Sequence, residues 1–143
     1  MIKTNIALIT AALSLVFSMN VLAEGTSTSM TKDDYKAGKA RIEGEYKSAK
    51  ATCGNLSGNA KDICKAEAKG KEEVAEAELK ANYKPSKKAT YEVSEAKAKA
   101  DYKVAKEKCD DLSGDAKSTC TKDAKNTYKR AKEDAKATMK AAG

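Results

Sequence analysis

Histidine and tryptophan are absent from this 143-residue chain, and proline and phenylalanine occur once each. Without histidine there is no side chain whose ordinary pKa lies near neutrality, so the usual general base and every histidine-dependent triad are excluded. The chain also has no P-loop, no Gly-x-Ser-x-Gly elbow and no glycine-rich dinucleotide turn. Carboxylate neighbours such as Asp110-Asp111 and Glu72-Glu73 read as solvated surface in a chain that is 34% charged. No enzyme and no cofactor are expected.

Large aliphatic side chains are equally scarce. Beyond residue 23 they are Ile42, Leu56, Ile63, Val74, Leu79, Val93, Val104 and Leu112. Burying every one of them at roughly 1.5–3 kcal/mol each falls far short of the entropy of ordering the chain, on the order of 100 kcal/mol. A hydrophobic core alone does not hold this protein. Local propensity helps, because alanine is the best helix former and lysine and glutamate follow closely. Glu43/Lys47, Glu67/Lys71, Glu76/Lys80 and Glu95/Lys99 are spaced to pair along a helix.

The remaining contribution is covalent. Cys53-Gly-Asn-Leu-Ser-Gly-Asn-Ala-Lys-Asp-Ile-Cys64 returns as Cys109-Asp-Asp-Leu-Ser-Gly-Asp-Ala-Lys-Ser-Thr-Cys120, so the chain is a duplicated unit. Each copy sets one cysteine on either side of a Leu-Ser-Gly turn, where two antiparallel helices are closest. Four cysteines allow three pairings, and the repeat favours Cys53 with Cys64 and Cys109 with Cys120. Ten intervening residues fit neither a redox Cys-x-x-Cys nor a zinc knuckle, so no metal site is expected.

Residues 1–23 read as a signal peptide. Lys3 precedes an apolar run from Ile6 to Phe17, and Val21-Leu-Ala23 fits the small-residue rule for cleavage. The run is too short for a membrane span, which takes about 20 apolar residues, and no later segment is apolar enough to cross a bilayer. Export follows, to a periplasm or by secretion beyond it, and either destination permits disulfides. Asn55-Leu-Ser57 matches a glycosylation acceptor, which carries no meaning in a bacterial periplasm.

Residues 24–30 read as a flexible leader, 31–84 as one helical hairpin and 85–143 as a second. Thr31-Lys-Asp-Asp34 is a helix start, and Tyr35, Ile42, Tyr46, Ala49 and Cys53 form one apolar stripe ending at Gly54. Asn59 is placed to cap the next helix, whose two stripes run Ala60, Cys64, Ala68, Ala75, Leu79 and Ile63, Ala66, Gly70, Val74, Ala77, Ala81. Pro85 stops it. The third helix repeats the first with Tyr91, Ala98, Tyr102, Ala105 and Cys109, and adds a stripe of Ala89, Val93, Ala96, Ala100 and Val104. The fourth, from about Asp115, keeps the single stripe Ala116, Cys120, Ala124, Ala131, Ala135 and so touches one partner. The expected fold is all-α: two disulfide-clamped antiparallel hairpins in an up-down four-helix arrangement, the second and third helices joining them. Hairpins strung apart across Pro85 are the alternative.

From Tyr46 to Cys64 and from Tyr102 to Cys120, the doubled pattern Cys-x-x-Leu-Ser-Gly-x-Ala-Lys-x-x-Cys resembles small Ala/Lys-rich exported proteins of proteobacteria. Their likeness to the coiled-coil part of the Tol-system envelope protein is one of composition. What the resemblance implies is a periplasmic location and no assigned activity.

The net charge is +7, of which Lys3 leaves with the signal peptide. The most basic segment is the last helix, where Lys117, Lys122, Lys125, Lys129, Arg130, Lys132, Lys136 and Lys140 face only Asp123, Glu133 and Asp134. The expected function is a non-enzymatic helical protein acting through its surfaces, as an envelope scaffold or stress-protective binder with an envelope protein as partner. A second reading is a binder of lipopolysaccharide or anionic lipid through the basic helix. A third is a holdase chaperone. Nucleic acid is not an expected partner of an exported chain.

Overall fold

The computed structural model describes residues 29–141. The signal peptide expected over 1–23 and most of the leader expected over 24–30 lie outside the described residues. Four helices follow in order: α1 (Lys32–Cys53), α2 (Gly58–Tyr83), α3 (Lys87–Cys109) and α4 (Gly114–Ala141). Each boundary has a local cause. Thr31 and Asp34 close a reciprocal capping box at the start of α1. Pro85 leaves Lys84 extended at φ −134° and ψ 78°, which ends α2, and Ser86 then caps α3 by accepting from the Ala89 amide. Both Leu-Ser-Gly turns enter the next helix through a left-handed glycine, Gly58 at φ 55° and Gly114 at φ 56°.

The disulfides are Cys53–Cys64 and Cys109–Cys120, with Cα atoms 5.6 and 5.7 Å apart. Each therefore staples its own hairpin beside the turn. Among the described helices, α1 packs only on α2, α2 on α1 and α3, and α4 only on α3. The fold is an open layer of four antiparallel helices in chain order, and both clamps sit at one end of it. Contact between α2 and α3 joins the two hairpins directly.

The core is thin, and its stripes are those the periodicity predicts. Buried apolar residues are Ile42, Cys53, Ala68, Leu79, Ala89, Ala98 and Cys109, whereas α4 buries none. Two predicted stripe positions, Ala60 and Ala116, are exposed because they lie in the first turn beyond each clamp. Small side chains bring the helices close. Leu79 sits against Gly38, and Gly70 sits against Ala100. Tyrosines seal both hairpins by stacking, Tyr35 on Tyr83 at 4.6 Å and Tyr102 on Tyr128 at 5.3 Å between centroids.

Two local expectations are corrected. Asn59 does not cap its own helix: it lies inside α2, and its amide donates to the Glu107 carbonyl near the end of α3 at 2.7 Å. This bond gives a second donor to a carbonyl that already accepts the Asp110 amide at the end of α3, and it ties the first hairpin's turn to the second hairpin. Of the four intrahelical pairs, only Glu43–Lys47 forms, at 2.7 Å. Lys80 reaches Glu92 instead, Lys99 reaches Glu73, and Glu95 takes Lys132. Close alanine-lined packing places the neighbouring helix within reach of long side chains, and that partner is preferred to the exposed one on the same helix.

Candidate functional surface

The face of the layer that carries these cross-helix pairs is a charged lattice. Glu73 on α2 receives Lys103 at 2.7 Å and Lys99 at 3.4 Å from α3, and Lys80 and Glu92 meet at 2.6 Å. Partial burial pushes the Glu73 carboxyl up, but the Lys103 hydrogen bond and the Lys103 and Lys99 charges outweigh it, so it lies below its ordinary value. At Glu92 the hydrogen bond from Lys80 leads, and that carboxyl is lowered too. Depressed carboxyls add stability above the unfolded carboxylate range and lose it as pH falls through the folded values. The melting temperature is therefore expected to fall between about pH 5 and about pH 3. Glu73→Gln should flatten that dependence in a series of thermal melts, and an unchanged profile would show that the pair adds nothing.

On α4, Lys122, Lys125, Lys129, Lys132, Lys136 and Lys140 recur at steps of three or four and share one flank of the helix. Two of the eight predicted basic residues fall elsewhere. Lys117 is paired with Asp110 at 2.9 Å in the turn, and Arg130 lies on the far flank, donating to Thr127 Oγ1 at 3.4 Å. Lys132 is in the stripe but held: its ammonium sits 2.6 Å from Glu95 and 5.4 Å from the centre of the Tyr128 ring. The Glu95 hydrogen bond raises its pKa.

Where the stripe meets α3 there is a recess of about 370 Å³ lined by Tyr91, Tyr128, Lys129, Lys132, Glu133 and Lys136. Two half-buried tyrosines line it: Tyr128 is stacked on Tyr102 and covered by the Lys132 ammonium that Glu95 holds, which leaves Tyr91 as the apolar wall and Lys129 and Lys136 as the cations beside it. Such a recess can hold a flat or cyclic group while the ammoniums meet an anion. The sequence pattern sets Tyr91 on the apolar stripe of the third helix, and Tyr128 has no counterpart in the first repeat. Only its position four residues before Lys132 places it beside the lysine stripe.

Among the described residues, no group of carboxylates and cysteines is arranged to hold a metal ion, and no helix is long and apolar enough to cross a membrane. All four cysteines are in disulfides. No known protein family, curated protein or solved structure matches the chain.

Proposed function

We propose that this protein is a non-enzymatic, exported helical scaffold whose last helix binds an anionic polymer of the cell envelope. The observation that carries this reading is the recess where Lys129, Lys132 and Lys136 border Tyr91 and Tyr128 on the continuous lysine flank of α4. A phosphorylated sugar or lipid head group suits it: the phosphate meets the Lys129 and Lys136 ammonium groups and the ring or backbone packs along Tyr91. The two disulfides support export, since such bonds persist in oxidising compartments. A helix with one neighbour and no buried residue is free to offer its flank.

The test is co-sedimentation of the oxidised protein with vesicles containing lipopolysaccharide or anionic phospholipid, against zwitterionic vesicles, at low and high salt. A lysine at an anionic surface contributes about 1 kcal/mol, so changing Lys125, Lys129 and Lys136 together to Gln should weaken binding on the order of a hundredfold. Arg130→Gln, on the other flank, should leave it unaltered. Binding that survives the triple change, or that ignores salt, rejects the proposal.

A further inference from the structure

Half of the large aliphatic side chains beyond residue 23, Ile63, Val74, Val93 and Val104, belong to the α2 and α3 stripes that meet at the joint between hairpins, and the four-helix layer leaves each of them only half-buried. On the face opposite the charged lattice, this seam opens into a groove of about 820 Å³ floored by Gly70, Val74, Ala100 and Val104. In a chain this poor in apolar side chains, leaving valines at an open groove costs stability unless something covers them.

The rim identifies the cover. Glu67, Lys71 and Glu78 follow one another along α2, with Lys108, Asp101 and Lys97 opposite them on antiparallel α3. Each row thus sets one sign on α2 against the other sign on α3. Only the last row closes within the chain, Lys97 to Glu78 at 2.7 Å. We propose that a second copy of this chain covers the groove. A two-fold axis parallel to the helices lays α2 of one protomer over α3 of its partner. Lys71 then meets the partner's Asp101, Glu67 meets the partner's Lys108, and Val74 and Val104 of both protomers close one apolar layer. The two middle helices and their symmetry mates form a four-helix core, which is what a single chain lacks. The other in-plane two-fold, across the helices through the middle of the groove, sets Glu67 against the partner's Glu78 and Lys97 against the partner's Lys108, like charge against like.

Sedimentation of the mature, oxidised protein over a concentration series tests this. The wild type is expected to pass from monomer to dimer, and Val104→Lys should raise the dimer dissociation constant by at least about tenfold. Helicity by circular dichroism and the two disulfides should stay intact in that variant. Lys71→Glu should weaken the dimer likewise, and adding Asp101→Lys should restore it, which a merely structural role would not do. A wild type that stays monomeric up to about 1 mM overturns the proposal, whether the groove is then empty or holds a foreign peptide. So does a Val104→Lys protein that dimerises as tightly as the wild type.

Discussion

Replacing Cys109 and Cys120 by serine should lower the thermal midpoint by roughly 10–20 °C, and α4 should be the first element to exchange its amides. Closing a loop of about a dozen residues removes roughly 3 kcal/mol of unfolded-state entropy in the chain-entropy model, and each kilocalorie moves the midpoint of a domain this size by several degrees. The clamp matters more to α4 than its counterpart does to α1. Helix α1 keeps Ile42 buried and stacks Tyr35 on Tyr83 after Cys53–Cys64 is lost. Helix α4 buries nothing and is left with Tyr128 on Tyr102, half-buried alanines and the Lys132–Glu95 pair. Hydrogen exchange by mass spectrometry on both double-serine variants separates the two cases. Equal protection of α4 in the oxidised and Cys109/Cys120-free proteins, with an unmoved midpoint, would mean that helix packing and not the staple holds the second hairpin.

The same asymmetry bears on binding. If α4 undocks, its lysine flank persists as charge but the recess with Tyr91, which belongs to α3, is dismantled. Under the proposed function, salt-dependent attraction to anionic vesicles is then expected to survive while the tyrosine-lined component is lost. The clamp is thus connected to the surface through the one helix that has least else to hold it.

Helices, clamps and neighbour order were legible because each depends on residues close in sequence or on a strict repeat. The double stripes on the middle helices also predicted which pair joins the hairpins, since a helix needs one apolar stripe per neighbour. Charge pairing was not legible. Glu95 has Lys99 four residues on, yet it pairs with Lys132 because Tyr128 and the half-buried alanines draw α4 within reach. The same reason hid Asn59, whose polar side chain suits a cap at its own helix but serves a carbonyl on α3. The tyrosine-lysine recess is assembled from α3 and α4, so no single segment announces it. Spacing along one helix ranks the local partner; close antiparallel packing supplies a better one.

Gly70→Val is expected to destabilise the protein by about 3 kcal/mol or more, while Gly44→Ala should stabilise it by about 1 kcal/mol. Both glycines lie inside helices, so propensity alone favours replacing either. Their surroundings decide otherwise. A Cβ on Gly44 meets nothing within 4 Å, but one on Gly70 would lie 2.8 Å from the Ala100 Cβ and 3.4 Å from its Cα. Ala100 has no rotamer through which to withdraw, so α2 and α3 must move apart. That movement stretches the Glu73–Lys103 and Glu78–Lys97 pairs and the Asn59–Glu107 bond together. Gly38 is the intermediate case: its closest obstacle, at 2.7 Å, is the Leu79 Cδ1, a side-chain end that can rotate. Chemical denaturation of the three variants should therefore rank Gly44→Ala above Gly38→Ala and Gly70→Val far below both. A Gly70→Val protein as stable as the parent would mean that the middle helices are not in close contact, and the joint between the two hairpins would have to be redrawn.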